Sequence, residues 1–363
     1  MKHDDVMVFD AHCDTVNTLY NQSFYFIQGN KRHISIEKAK IGGLKAQIFA
    51  LYVNPVYAPY RSIKKALLLY TTLENKLLFS GNAVKVTSTI EMESALKKNK
   101  LACWISLEGG HIIENSIEML EFFYQLGIRC MTLTHSKNTD WADSSSDKPK
   151  HDGLTKLGRN IIKKMNEMGM VIDVSHSSDK TVEDVLEFSS MPIMASHSNP
   201  RALCDIPRNL SDDLIREIGN RNGYIGVNFY PAFLKKSIYD QLMVNIEKNS
   251  DWYKKEIQGN EDNPEIINKV EMELCLKIVE GTDNVDLNAI IDHVTHIIDI
   301  GGIDCVGLGS DFDGIPFTPT DLTDVSCYPA LIDGLTLRGF EAKEIHKIMG
   351  LNLFLFLKQF DHR

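Results

Sequence analysis

Three things are scarce in this sequence, and each scarcity argues against a class of protein. The seven cysteines, at positions 13, 103, 130, 204, 275, 305 and 327, are odd in number and contain no Cys-x-x-Cys pair. That spacing fits neither a disulfide framework nor a thiolate zinc site, so reduced thiols are expected, with Cys103, Cys130, Cys275 and Cys305 buried in apolar contexts. Positive charge is also short: 39 Lys and Arg against 49 Asp and Glu leave a net charge of -10 and a pI near 5.7. A nucleic-acid partner would need a concentrated basic face, and no block of like charge forms a binding tail. No window of ~18 uninterrupted apolar residues is present, so no membrane span is expected. Met1-Lys2-His3-Asp4-Asp5 lacks the apolar core of a secretory signal, and Gln359–Arg363 is not an anchor signal. The expectation is a soluble cytoplasmic protein that binds neither nucleic acid nor membrane.

What the sequence does contain is enough apolar residue for a large core, 43% of 363 residues. Length alone does not force two domains, because one barrel with insertions reaches this size. β-rich apolar runs alternate with longer amphipathic segments. Strands are expected at Val6–Asp14, Gly42–Val53, Leu101–Leu107, Ile128–Thr134, Met170–Ser175, Pro192–Ser196, Tyr224–Phe229 and Cys305–Gly309. Helical patterns lie at Ser62–Phe79, Ser116–Leu126, Leu154–Met168, Lys180–Phe188, Asp212–Arg221, Ile290–Ile300, Phe340–Met349 and Leu351–Phe356. Such alternation gives a parallel sheet with right-handed crossovers, and eight strands predict an α/β fold, the (β/α)8 TIM-type barrel. Residues 1–363 are expected to form one barrel domain. A charged, helix-prone insertion of about 232–282 follows strand seven, carrying helical patterns at Lys235–Asn249 and Pro264–Val279. The polar connection Ser136–Asp152 is long enough to be functional rather than incidental; Trp141 within it suits loop packing or a substrate wall equally.

The chemistry gathers at the strand ends. Val8-Phe9-Asp10-Ala11-His12-Cys13-Asp14 begins apolar and finishes with an imidazole and a carboxylate two residues apart. Strand side chains alternate faces, so His12 and Asp14 point the same way, with Asp10 one step deeper as a supporting group. Alone, that pair is equally well read as a strand that ends in polar residues. The pattern recurs, however: Glu108, His135, His176, His197 and Asp311 each follow an apolar strand. A barrel turns all these ends toward one mouth, where its active sites are built. One such histidine would more readily be a satisfied core residue; four in the same placement are not coincidence. Imidazole and carboxylate donors without paired cysteines suit Zn2+, or Mn2+, Co2+ or Fe2+. They are too many for one open tetrahedral ion and suit two, bridged by a carboxylate, with a shared hydroxide as nucleophile. Glu108 is the natural bridge, and strand parity does not choose between Asp311 and Asp313.

The chain resembles the membrane (renal) dipeptidase family, binuclear zinc dipeptidases of the metal-dependent hydrolase superfamily. The similarity rests on Asp10-Ala11-His12-Cys13-Asp14-Thr15, Gly42-Gly43-Leu44-Lys45-Ala46-Gln47, Leu107-Glu108-Gly109, Met131-Thr132-Leu133-Thr134-His135 and Asn138-Thr139-Asp140-Trp141-Ala142-Asp143. It continues through Val171-Ile172-Asp173-Val174-Ser175-His176, Ala195-Ser196-His197-Ser198, Pro207-Arg208-Asn209, Val227-Asn228-Phe229-Tyr230 and Gly307-Leu308-Gly309-Ser310-Asp311-Phe312-Asp313-Gly314. It covers nearly everything but the insertion. The resemblance implies that His12 and Asp14 hold one zinc, His176 and His197 a second, and that Glu108 bridges them. It implies that His135 orients the scissile carbonyl, that Arg208 pairs with the substrate carboxylate, and that Asp311, rather than Asp313, carries the proton to the leaving amine. Where some members carry a tyrosine this chain has Phe233, so no tyrosine contact is carried over. The implied function is a zinc metallodipeptidase cleaving small dipeptides, including those with a C-terminal D-residue, with a homodimer as the expected assembly. The rivals are a binuclear amidohydrolase opening a cyclic amide or lactam, and a non-catalytic barrel that retains metal for binding.

Overall fold

The alternating apolar runs fold as parallel strands around a closed ring. The computed structural model describes residues 3–21 and 32–361. Among the described residues there are nine strands: β1 Val8–Cys13, β2 Leu44–Tyr52, β3 Ala83–Lys85, β4 Leu101–Glu108, β5 Cys130–Thr132, β6 Val171–Asp173, β7 Met194–Ala195, β8 Tyr224–Val227 and β9 Val306–Leu308. The sheet order is β2-β1-β9-β8-β7-β6-β5-β4-β3, and a β2–β4 pairing closes it. β3 does not take part in closure. It pairs with Leu101–Cys103 at the start of β4, whereas β5 pairs with Ser106–Glu108 at its end. The other eight strands make the expected (β/α)8 barrel. β3 escapes the sequence reading because three residues, Ala83-Val84-Lys85, are too short to display a period.

Register sets the depth of the mouth. Tyr52 of β2 pairs with Glu108 of β4, Glu108 with Thr132 of β5, and Thr132 with Asp173 of β6. One row of the barrel thus carries polar groups from four strands to a common level. β1 and β4 are buried along their whole length, as barrel staves lined on both faces must be. β5, β6, β7 and β9 are shorter than expected, so His135, His176, His197 and Asp311 sit past the strand ends. The chain turns there: His176 and Asp311 adopt φ of +66° and +62°, left-handed values that few side chains accept without a local reason.

Outside the ring, amphipathic helices pack their apolar faces inward. The helix Asp212–Asn220 buries Leu214, Ile215 and Ile218 and starts at Ser211, whose hydroxyl accepts from the Leu214 N–H. Trp141 is fully buried beneath Gly110, where a Cβ would come within 2.3 Å of the indole. It packs the loop rather than lining a substrate wall. The expected helix at 62–79 is α-helical over Ser62–Thr72 and ends through a π turn, Leu73–Leu77, and a 3-10 turn, Leu78–Ser80.

The insertion after β8 is helical, over Pro231–Leu234, Lys236–Lys248, Ser250–Ile257 and Pro264–Ile278. It carries a small core of its own, with Ala232, Ile238, Leu242 and Ile278 buried together. Its last helix is tied to the segment beyond β2: Asn54 donates to Asn268 Oδ1 at 3.3 Å and to Glu271 Oε2 at 2.5 Å, and Lys65 lies 3.4 Å from Glu265. Cys275 sits on that helix and is exposed, against the expectation of burial. No described helix is long and apolar enough to cross a membrane.

Candidate metal centre

The barrel brings every expected donor to one place. Glu108, 2% exposed, stands at the end of β4 with its two oxygens facing different neighbours. Oε2 lies 3.5 Å from His12 Nε2, while Oε1 lies 3.4 Å from His176 Nε2, 3.6 Å from His197 Nε2 and 3.7 Å from His135 Nε2. His12 Nε2 is 3.6 Å from Asp14 Oδ2 and 4.0 Å from Asp311 Oδ1; His176 and His197 meet through their Nε2 atoms at 2.9 Å. Donors 2.0–2.2 Å from one tetrahedral ion are about 3.3 Å apart, so these separations are those of a ligand cage.

The possible ligands fall into overlapping groups. His12, Glu108 and His197 form one triad of possible ligands, Glu108, His135 and His176 a second, and His12, Asp14 and Asp311 a third. His12 Nε2, Asp14 Oδ1 and Glu108 Oε2 are buried without any hydrogen-bond partner. A buried polar atom without a partner is costly, and three on neighbouring donors of one cluster fit a cation. The donor set, all nitrogen and oxygen, fits divalent transition metals.

Electrostatics agrees with the geometry. Burial depresses His176 and His197 well below the ordinary histidine value, helped at both by nearby Arg208, so both are neutral and free to ligate. His135 is pushed down to about 3 by burial, then by Arg208 and His12. His12 alone moves up, the Glu108 and Asp14 carboxylates outweighing its desolvation. Asp14 and Asp311 each rise to about 7, chiefly through burial. Crowded carboxylates of this kind are what a bound cation would relieve.

Around the donors stands a second set of side chains. Asp10, at 0% exposure, accepts from His12 N and Ser310 N at 3.1 and 3.0 Å, from Tyr328 OH at 2.6 Å, and from the Ser310 hydroxyl. This clamps the end of β1 to the segment after β9. Asn228 donates to Asp311 Oδ2 at 2.9 Å, which holds that carboxylate while Oδ1 faces His12. Arg208 is 6% exposed; its Nη1 donates to Ser198 Oγ at 2.8 Å and its Nη2 to the His197 carbonyl at 2.7 Å, and its Nε is buried without a partner. The ring of Phe233 lies 5.4 Å from the guanidinium. Asp313 is turned away, bonded to Thr15 Oγ1 at 2.6 Å and the His33 N–H at 2.9 Å, so geometry selects Asp311 where strand parity did not. Sequence reasoning gave no role to Asn228, Asp173, Ser196 or Tyr328. The signal available for Asp173 was its place in an apolar strand, three residues before His176, much as Asp10 precedes His12.

The fold and donor set define a barrel-type metalloprotein, and sequence comparison gives the family. Residues 3–362 match the profile of membrane dipeptidase, peptidase family M19, and the chain belongs to that family. Dipeptidase 3 of Macaca fascicularis is 28% identical over 98% of this chain and 65% of its own length. Dipeptidase tcpJ of Claviceps purpurea is 31% identical over 78% of this chain and 56% of its own length. The chain spans between about half and three quarters of the length of these and similar curated relatives. Among solved structures, the probable dipeptidase PvdM from Pseudomonas aeruginosa superposes with a TM-score of 0.82 at 25% identity, covering 99% of this chain and 96% of that one. A metallopeptidase from Rhodobacter sphaeroides, solved with a phosphinate mimic of L-Ala-D-Ala, shares the fold with a TM-score of 0.80 at 22% identity, covering 98% and 99%.

Proposed function

We propose that this chain is a metal-dependent dipeptidase working with two zinc ions, the first held by His12 and Asp14, the second by His176 and His197, with Glu108 between them. The observation that carries this reading is the division of one carboxylate, Oε2 toward His12 and Oε1 toward His176 and His197. When bound, the ions would acidify a shared water and polarise the scissile carbonyl. The chain's own residues supply the rest. Asp311, held through Oδ2 by Asn228 with Oδ1 facing His12, is the carboxylate placed to take a proton and then deliver it to the leaving amine. Neutral His135 orients the carbonyl oxygen. Arg208, fixed by the His197 carbonyl and Ser198, keeps its buried Nε without a partner, and a substrate carboxylate is the planar acceptor that matches it.

The dipeptide class, with acceptance of a C-terminal D-residue, is supported by the L-Ala-D-Ala mimic found in the Rhodobacter sphaeroides structure. The proposal extends to a homodimer acting in the cytoplasm, which sedimentation and fractionation would check. The deciding experiment pairs metal analysis with a panel of L,L and L,D dipeptides, lactams and C-terminally amidated dipeptides. Release of free amino acids with two ions per chain supports the reading; ring-opening of lactams without dipeptide cleavage refutes it. In Arg208→Ala, KM for dipeptides is expected to rise about 100-fold, the loss of a buried charge-assisted pair, while amidated substrates change little. An equal loss on both would show that Arg208 is structural.

A further inference from the structure

Behind His197 lies a chain of hydrogen bonds whose direction is fixed by proton count. Asp173, 1% exposed at the end of β6, accepts four. Its Oδ1 takes the N–H groups of Ser175 and Ser196 at 3.0 and 2.9 Å, and its Oδ2 takes the hydroxyls of Thr132 and Ser196, both at 2.6 Å. A carboxylate only accepts, so each of these contacts has the proton on the partner. The single hydroxyl proton of Ser196 is thereby committed to Asp173. Ser196 Oγ also lies 2.7 Å from His197 Nδ1, and with its proton committed it can only accept there. His197 therefore carries its proton on Nδ1 and presents a lone pair on Nε2, the atom facing Glu108 and His176.

The same group reaches the substrate side. Ser175, whose N–H is bonded to Asp173, receives the His197 N–H on its hydroxyl at 3.0 Å and the Ser198 hydroxyl at 3.3 Å. Ser198 in turn receives Arg208 Nη1. One buried carboxylate thus joins β5, β6 and the turn after β7, fixing the histidine proton and seating the guanidinium.

We infer that Asp173 is a positioning residue that, through Ser196, sets the tautomer of His197 and so makes its Nε2 available to the second ion. The inference rests on the two-ion reading above and goes beyond it. Asp173→Asn inverts the chain: the new amide donates to Ser196, Ser196 donates to His197 Nδ1, and the histidine proton moves to Nε2, where it blocks ligation. Ser196→Ala removes the link while leaving both backbone bonds to Asp173 Oδ1 in place.

The test titrates the ion-free full chain with Zn2+ against a chromophoric chelator and reads the histidine tautomers by 15N NMR, without any turnover assay. Expected are a 10- to 100-fold weaker second ion in Asp173→Asn, with the His197 signals exchanged between Nδ1-H and Nε2-H, and about 10-fold weakening in Ser196→Ala. The first ion keeps its affinity in both. If Asp173→Asn does not fold, Ser196→Ala decides alone. Unchanged affinity for the second ion in a folded variant overturns the positioning role, whereas a wild-type chain that takes up no second ion overturns the site reading itself.

Discussion

Gly314→Ala would separate the demands of folding from those of the site. A Cβ built at Gly314 comes within 2.2 Å of Asp14 Oδ2 and 2.5 Å of Asp311 Oδ1. Both neighbours are ends of side chains, and the position needs no left-handed backbone, so the barrel has no reason to unfold. Ordinary contact begins near 3.4 Å, so the Asp14 oxygen must retreat by about 1.2 Å and the Asp311 oxygen by about 0.9 Å. Rotating two carboxylates costs folding little, on the order of 1 kcal/mol. For the site the same movement is severe, because a misplacement of about 1 Å in catalytic geometry costs ~100-fold in rate, or about 2.7 kcal/mol of barrier. The expected result is a melting temperature within a few degrees of wild type, reduced occupancy of the ion at His12 and Asp14, and kcat/KM on a dipeptide down by ~100-fold. Scanning calorimetry, metal analysis and steady-state kinetics read the three quantities. A folded variant with both ions and wild-type kcat/KM would refute the placement of Asp14 and Asp311 at the reacting centre.

Glu108→Gln replaces one of the two carboxylate oxygens of the proposed bridge with an NH2 group that cannot ligate. Metal analysis is expected to find at most one ion per chain, and dipeptide cleavage is expected to fall by at least ~1,000-fold; two tightly held ions with normal turnover would contradict the bridge. His293 offers a test of stability against pH. It is 2% exposed, its Nε2–H donates to the Leu234 carbonyl at 3.0 Å, and burial lowers its pKa to about 4. The folded value lies below the unfolded one of about 6.5, so between them the unfolded chain binds more protons and stability falls as pH falls. From pH 8 to pH 5 this residue accounts for about 2 kcal/mol of lost stability. His293→Gln is expected to flatten denaturant-derived stability by that amount over the same range, and a slope identical to wild type would disprove the assignment.

The donors were legible in the sequence because each occupies the same topological station. An apolar run followed by His135, His176, His197 or Asp311 is a local pattern, and the barrel converts local equivalence into spatial convergence. The supporting residues were not legible for the same reason inverted. Ser196 and Tyr328 take their meaning from Asp173 and Asp10, partners 23 and 318 positions away, and nothing local marks them. Arg208 came from family resemblance alone; its burial against His197 and Ser198 is a tertiary fact. Cys275 shows the limit of reading apolar context on a helix, since context does not say which side of the insertion meets solvent.

The clamps made by Asp10 and Asp173 bear on how the protein could handle its ions. Each ties its strand to the chain beyond a neighbouring strand through backbone N–H groups and hydroxyls that need no cation. The donors hang from a frame whose hydrogen bonds are complete, unlike small metal-dependent domains that fold only when loaded. Ion uptake then carries little ordering entropy, and the binding energy, with the relief it gives Asp14 and Asp311, adds to a fold already held by those bonds. Such a centre can be emptied and refilled, or exchange one transition metal for another as supply changes, while the barrel itself stays standing.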